Sequence, residues 1–239
     1  MAKYLVTSAL PYTQAIIHLG NLIGSVLPAD IYYKYLRMSG EDAIFICGSD
    51  EHGSAVELKA LREHTSPEKI IEKNHKEIKE LLDYYECTFT FYGETHAEEN
   101  KEAVYEIFNA LNKNGYITKT ESEQVYCNID KRFISDRFIE GTCPNCKYEH
   151  ARGDQCEICG RLLEPKDLIK AHCTICGKSD MTLKKTANLA IDLKKLQPKI
   201  KKFIDENSKN GWTKNAINHS QGYINRGLKA REITRELKW

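Results

Sequence analysis

The sequence has no long apolar run and no excess of charge. None of its 239 residues lies in an apolar stretch of the roughly 20 residues that a membrane-spanning helix needs, so we expect no membrane span. The net charge is +1, so charge alone does not call for a nucleic-acid partner, and any basic surface has to be local. The first residues form a predicted strand rather than a signal peptide, and we therefore expect a cytoplasmic protein.

Proline and tryptophan are scarce, but cysteine is not. The chain has nine cysteines, and six of them form three C-x2-C pairs. In a chain without a recognisable signal peptide, adjacent pairs of this kind are typical of metal ligands in a reducing compartment. The cysteine pattern therefore argues against a secreted disulfide-bonded protein.

The first part of the chain has the pattern of an α/β fold. A strand at Tyr4–Ser8, a helix over Leu19–Met38 and an apolar strand at Ala43–Cys47 form a βαβ unit. The two strands should be parallel and adjacent, with a right-handed crossover. We expect a Rossmann-type half-domain over residues 1–115. Its polar segment Gly48–Gly53 should lie at the carboxyl edge, where open α/β sheets bind ligands.

The second part of the chain changes character near Tyr116. Short strand-like segments rich in cysteine follow, and two basic or polar helical segments come after them, at 192–207 and 215–227. We therefore predict a second domain over residues 116–235, with metal-binding knuckles at about 125–180.

Two adjacent C-x2-C pairs predict a tetrahedral zinc site formed by Cys143, Cys146, Cys156 and Cys159. Each pair forms a tight turn that presents two thiolates to one ion. The plainer alternative is four buried free cysteines, because cysteine packs well as a small apolar residue. Residues 147–155 are mostly polar and cannot build a core around four thiols, which favours zinc.

A weak internal repeat suggests a second zinc site. Residues 127–143 resemble residues 156–173, and Asp130 then stands at the position of Cys159. The ligands left over by the first site are Cys127, Asp130, Cys173 and Cys176. Zinc accepts carboxylate oxygen. Two alternatives remain: His172 in place of Asp130, or an outer knuckle that has lost its metal.

Residues 9–21, which follow the first strand, run through a proline-containing loop into the first helix. Helix N-termini after a strand are ready-made phosphate sites, because unpaired N–H groups and the helix dipole face the ligand. His18 could donate to a phosphate oxygen, and Gly20 lets a base or ribose lie against the backbone. The plainer alternative is an ordinary turn with a helix-capping histidine.

The stretch at 9–21 resembles the HIGH signature of class I aminoacyl-tRNA synthetases and, in its longer form, the methionyl-tRNA synthetase family. The resemblance extends in register over essentially the whole chain, through residues 45–53, 136–156 and 227–239. Members of this family activate methionine with ATP to methionyl-adenylate and transfer it to tRNA(Met). The resemblance therefore implies a methionine–tRNA ligase, with zinc in a connective insertion and Mg²⁺ accompanying ATP.

The resemblance also implies roles for individual residues. Those implied for methionine are Ala9, Leu10, Tyr12 and Asp50, and those implied for ATP are Pro11, His18, Gly20 and Asn21. His18 and Asn21 would be the catalytic pair, and Asp50 would bind the substrate ammonium. Plainer alternatives are a helix cap for Asp50 and a core aromatic for Tyr12.

The family's second signature, Lys-Met-Ser-Lys-Ser, does not occur in the sequence. We therefore expect an incomplete enzyme, inactive without a C-terminal half as its partner, from a split gene, a truncation or a partial sequence. A competing hypothesis is a free-standing zinc-knuckle module that binds tRNA or another RNA through Lys194–Lys202 and Arg226–Arg235. A third is a non-functional remnant.

Overall fold

A computed structural model describes residues 3–236 and 239. In this part of the chain the helices are α1 (Leu19–Asn21), α2 (Leu27–Met38), α3 (Ser54–Arg62), α4 (Pro67–Tyr84), α5 (Glu98–Lys113), α6 (Leu193–Asn207) and α7 (Lys214–Arg226). The strands are β1 (Lys3–Thr7), β2 (Asp42–Ser49), β3 (Phe91–Glu94), β4 (Ile117–Cys127), β5 (Arg132–Phe133), β6 (Ile139–Thr142), β7 (Ala151–Arg152), β8 (Ile169–Cys173), β9 (Met181–Ile191) and β10 (Arg231–Glu232). No described helix is long and apolar enough to cross a membrane.

The chain divides into two compact units that do not follow sequence order. Among the described residues, one unit contains 3–103, 136–177 and 239, and the other contains 104–135 and 178–236. The predicted domains, 1–115 and 116–235, divide the chain differently, because the knuckle segment belongs to the first unit. Those domain limits stay a prediction.

The first unit is built on a parallel sheet in the order β1-β2-β3. Val6 of β1 pairs with Phe45 of β2, which confirms the parallel, adjacent strands expected from the sequence. One face of β2 is buried, and Phe45 packs there with Val6 and with Leu36 of α2. Burial of such side chains stabilises the fold by about 1.5–3 kcal/mol each.

The helix predicted over 19–38 is helical throughout but not regular. A π-helical turn, Leu22–Val26, separates α1 from α2. Leu22 and Val26 are buried against Ile78 and Leu82 of α4. Such π segments often occur at functional sites, and this one lies directly after the loop at 9–21.

Strand β3 was not expected from the sequence. It is four residues long and contains Gly93, which weakens its strand pattern. Gly93 lies so close to Gly48 of β2 that a Cβ at position 48 would be 2.7 Å from the Gly93 carbonyl oxygen. The two glycines therefore allow the close pairing of β2 with β3.

The knuckle segment has its own sheet, in the order β7-β6-β8. Ile139, the first residue of β6, and Phe138 just before it are almost completely buried. Cys143 directly follows β6, and Cys173 is the last residue of β8, so these strands position two of the cysteine turns.

The second unit is built around a long antiparallel pair. β4 pairs with β9 over their full length, from Ile117 opposite Ile191 to Cys127 opposite Met181. The Gln197 side chain of α6 donates to the Ile224 carbonyl of α7 at 3.4 Å and accepts from the N–H of Leu228, just after α7, at 2.7 Å. Both helices lie within a residue of the limits expected from the sequence.

Candidate active site and metal centres

The loop after β1 is tied to the end of β2 by main-chain hydrogen bonds. The Asp50 N–H donates to the Pro11 carbonyl at 2.7 Å, and the Thr13 N–H donates to the Asp50 carbonyl at 2.9 Å. Asn74 of α4 donates to the Thr13 carbonyl at 2.5 Å, in a buried position. The carboxyl edge of the sheet thus brings Tyr12 and Asp50 into a parallel bridge. Sequence reasoning did not find Asn74, for which the pattern gives no signal.

The Tyr12 hydroxyl lies directly against Gly53. Gly53 has a φ of +139°, which L side chains rarely adopt, and a Cβ there would lie 1.8 Å from the Tyr12 hydroxyl oxygen. Burial, followed by the nearby Asp50 carboxylate, raises the pKa of Tyr12. The charge of Arg137 and then the Ala55 N–H hydrogen bond oppose this. Tyr12 also packs against the cluster of Val56 and Ile70, so it is partly a core aromatic.

Asp50 is half-buried at this edge. Desolvation raises the pKa of its carboxyl above the usual value, against the opposing effect of the His52 N–H, and Glu51 raises it further. Asp50 does not cap the following helix, because the N-cap of α3 is Gly53 and no side chain caps there. Desolvation thus disfavours the charged form of Asp50, and a cation bound beside it would offset that effect.

His18 caps α1, as the plainer alternative expected. Its Nδ1 accepts from the Asn21 N–H at 3.3 Å, and the Asn21 carboxamide oxygen accepts from the His18 N–H at 3.4 Å. With Nδ1 as acceptor, the neutral ring carries its proton on Nε2. His18 is exposed, so this Nε2–H is available to an anionic ligand. The cap and a phosphate-binding role are therefore compatible.

Gly20 leaves room for the His18 ring. A Cβ at position 20 would lie 3.0 Å from both Cε1 and Nδ1 of His18. The preceding loop is fixed in turn by the π-helical turn, where the Ser25 hydroxyl accepts from the Ala9 N–H at 2.8 Å. Sequence reasoning missed Ser25, because a π turn leaves no recognisable pattern.

Leu10 is 45% exposed and lines a cavity of about 480 Å³. The cavity continues along the carboxyl ends of β2 and β3, past Cys47 and Tyr92. Leu10, Phe91 and Tyr92 give this cavity an apolar and aromatic side that suits a flexible apolar ligand. Polar side chains, among them His75, Glu94 and Glu99, line the rest of it. Ala9 is exposed in the same loop.

Trp239 also belongs to this unit, and sequence reasoning assigned it no role. Its indole N–H donates to the Glu51 carbonyl at 3.2 Å. Its ring stacks on His52 and His96, with ring centroids 5.2 Å and 5.1 Å apart. Trp239 therefore contacts the main chain next to Asp50.

The four cysteines predicted to form the first zinc site converge. The sulfur atoms of Cys143 and Cys159 are 3.8 Å apart, and those of Cys146 and Cys156 are 3.5 Å apart. All four sulfurs lie within 4.8 Å of one another. Four thiolates on one zinc ion at about 2.3 Å have separations close to these.

The thiols in this cluster influence one another. A side-chain hydrogen bond from Asn145, followed by the Arg161 N–H, lowers the pKa of Cys159 to about 6. The Tyr148 N–H opposes a rise in the pKa of Cys146, but desolvation and the neighbouring thiols raise it to about 12. Deprotonation of Cys146 would therefore depend on the positive charge of a bound ion.

Four turns repeat one backbone conformation. The residue after the second ligand position has a positive φ in each: Lys131 (50°), Lys147 (63°), Gly160 (69°) and Gly177 (71°). The three C-x2-C turns also share a hydrogen bond from this N–H to the carbonyl of the first cysteine. Residues 127–131 thus share the positive φ that follows the second cysteine in each C-x2-C turn, and Asp130 stands in the position of that second cysteine.

The predicted outer ligands are divided between the two units. Cys127 and Asp130 belong to the second unit, and the Cys127 sulfur is 3.1 Å from an Asp130 carboxylate oxygen. Cys173 and Cys176 belong to the first unit, where the Cys173 sulfur accepts from the Ile175 N–H at 3.4 Å. Their joint binding of zinc stays a prediction.

Comparison with known proteins gives a consistent family. A probable cytoplasmic methionine–tRNA ligase of Dictyostelium discoideum is 45% identical over 237 residues, which are 98% of this chain and 32% of that protein. A methionine–tRNA ligase of Pyrobaculum islandicum is 46% identical over 239 residues, which are 100% of this chain and 42% of that protein. The chain thus spans well under half the length of these relatives.

A solved structure gives the same fold. The methionyl-tRNA synthetase of Mycobacterium tuberculosis, in complex with methionyl-adenylate, superposes with a TM-score of 0.71 over 98% of this chain and 41% of that one, at 18% identity. The family model described as tRNA synthetases class I (M) matches residues 4–239. The chain therefore belongs to the class I tRNA synthetases of the methionine type.

Proposed function

We propose that this chain supplies the methionine site and the adenosine side of the ATP site of a methionine–tRNA ligase. The reaction joins methionine to ATP as methionyl-adenylate, releases diphosphate, and then transfers methionine to tRNA(Met). The observation that carries the proposal is the pairing of Tyr12 with Asp50 at the carboxyl edge of the sheet, next to the exposed Leu10. The 41–46% identity to methionine–tRNA ligases supports the same reaction.

In this proposal Asp50 binds the methionine ammonium. A half-buried carboxylate with a raised pKa gains the most from a cationic partner. Leu10 and Tyr12 contact the thioether, which is flexible and polarizable and packs well against apolar and aromatic groups. Ala9 completes the wall on the loop side.

His18 and Asn21 act on ATP. The cap leaves the His18 Nε2–H free to donate to a phosphate oxygen whose negative charge grows as the adenylate forms. Gly20 leaves the backbone open for the adenosine. Pro11 is fully buried and its carbonyl accepts from the Asp50 N–H, so its part in ATP binding would be to position the loop. Mg²⁺ accompanies the ATP phosphates.

Zinc has a structural role. Cys143, Cys146, Cys156 and Cys159 would hold one ion in a closed tetrahedron that has no open position for catalysis. A second ion would be held by Cys127, Asp130, Cys173 and Cys176, and the repeated turn conformation supports this set.

The chain would act together with a C-terminal half of the enzyme and with tRNA(Met). The lysines that grip ATP phosphates in this family are absent from the sequence, so they would come from a C-terminal half. tRNA(Met) is the second substrate. We propose a cytoplasmic location, because the Dictyostelium relative and one from Arabidopsis thaliana are named cytoplasmic.

A binding experiment tests the methionine site. Calorimetry should compare methionine with 4-(methylthio)butanoate, which has the same thioether and carboxylate but no ammonium. The native chain should prefer methionine by about tenfold or more, as expected for a charge-assisted hydrogen bond. Asp50→Asn should remove this preference, and the Glu63→Gln change on the exposed end of α3 should not. Equal binding of the two compounds by the native chain would contradict the proposal.

A further inference from the structure

A second group of ligand-type side chains lies beside the cavity, outside the residues assigned to methionine and ATP. It consists of Glu51 at the end of β2, His75 of α4 and Glu94 at the end of β3. The His75 Nδ1 is 3.9 Å from the Glu51 Oε1 and 3.9 Å from the Glu94 Oε2. One ligand atom from each residue lies within 4.8 Å of the others.

Glu51 is the unusual member of this group. It is fully buried, at 0% exposure. Its Oε2 accepts hydrogen bonds from the Thr95 N–H, from the Thr95 hydroxyl at 2.7 Å and from the His96 N–H at 3.3 Å. Its Oε1 has no hydrogen-bond partner within the part of the chain that the structure describes. A buried carboxylate oxygen of this kind is costly unless a cation or donor meets it.

We propose that Glu51, His75 and Glu94 bind a divalent transition-metal ion such as Mn²⁺. Two neighbouring ligand atoms, each about 2.0–2.1 Å from one ion, are about 3.0–3.4 Å apart, so the separations of 3.9 Å would have to close by roughly 0.5 Å or more when an ion binds. Glu94 is exposed and can move inward to complete the set. One imidazole with two carboxylates suits Mn²⁺ or Zn²⁺ better than Mg²⁺, which prefers oxygen ligands alone.

Two neighbours already position the imidazole. The Ser49 hydroxyl oxygen is 2.6 Å from the His75 Nδ1, and the Tyr92 ring packs against His75 with centroids 5.5 Å apart. When the ion takes the Nδ1 lone pair, the Ser49 oxygen is left beside it as a further oxygen ligand. The ion would join the ends of β2 and β3 to α4 at the cavity wall.

Mn²⁺ titration followed by electron paramagnetic resonance tests the site. The zinc-loaded chain of residues 1–239 is used, because Mn²⁺ competes poorly for thiolate sites. The free Mn²⁺ signal should be reduced by one equivalent at sub-millimolar concentration. Glu51→Gln, which keeps an oxygen for Thr95 and His96, should weaken binding by at least about tenfold, as should His75→Gln.

The control is Glu99→Gln, which removes another carboxylate that lines the cavity but lies outside the group. It should bind Mn²⁺ as the native chain does. Two results overturn the proposal: no Mn²⁺ bound to the native chain at 1 mM, or native affinity in both Glu51→Gln and His75→Gln. Glu51→Gln and His75→Gln change different segments, so if one of them does not fold, Mn²⁺ affinity in the other decides whether this group holds the ion.

Discussion

The hydroxyl of Tyr12 occupies the space that a side chain on residue 53 would need, because a Cβ there would lie only 1.8 Å from it. The loop after β1 and the segment after β2 therefore constrain each other. Gly53→Ala should displace Tyr12 and also strain the backbone at φ +139°, which costs on the order of 1–3 kcal/mol. We expect a lower melting temperature and weaker methionine binding.

The matched control is Gly24→Ala. Gly24 lies in the π-helical turn with nothing within 4 Å of its Cβ position and no positive φ, so its stability should change by no more than about 1 kcal/mol. Equal losses in the two variants, measured by thermal unfolding, would mean that the Tyr12 contact does not determine the effect.

The second prediction concerns Gly20→Ala. A methyl group 3.0 Å from the His18 ring should rotate the imidazole and disturb its bond to the Asn21 N–H. Nitrogen-15 chemical shifts of His18 should then lose the Nε2–H tautomer pattern, while thermal stability stays nearly constant. An unchanged His18 spectrum would refute the view that Gly20 positions this ring.

The third prediction concerns zinc. Cys143→Ser should release one equivalent of zinc and lower the melting temperature, because metal-binding energy is folding energy at such sites. Cys87→Ser is the control: it removes a buried cysteine outside both clusters, so it should lower stability without changing zinc content.

The second zinc site has its own test. Cys176→Ser should reduce the zinc content of the chain from two ions to one. If the native chain contains only one zinc ion, the prediction of the second site is wrong, whereas that of the first site still holds.

The fourth prediction follows from the raised pKa of Asp50. A carboxyl whose folded pKa is above its unfolded value favours folding while protonated, and this contribution is lost as the pH rises through the folded pKa. Asp50→Asn should therefore make the free protein more stable at pH 7 than the native chain, with little difference near pH 3. Urea unfolding at the two pH values measures this. A variant less stable at pH 7 would contradict it.

The sequence predicted the βαβ unit well, because the apolar runs around Phe45 and along the first helix are strong periodic signals. It also predicted the convergence of Cys143 with Cys159, since C-x2-C turns have a fixed geometry. It could not predict β3, whose Gly93 has no strand signal by itself. The contacts of Glu51 and Trp239 could not be predicted from the sequence either, because they join residues far apart in the chain.

The helix-cap interpretation is wrong for Asp50 and correct for His18. Asp50 is not a helix cap, since α3 begins after Gly53. His18 is one, and that capping bond is what directs its other nitrogen outward. A capping role in the free chain therefore does not argue against a role toward ATP.

Methionine-dependent exchange between ATP and pyrophosphate tests the central claim most directly. Residues 1–239 should give little exchange alone, and should give exchange that depends on methionine when combined with a second polypeptide carrying the family's lysine loop. His18→Ala should reduce the restored rate by about 10²–10³. Exchange that depends on a different amino acid, no exchange in the combination, or full exchange by residues 1–239 alone would contradict the account.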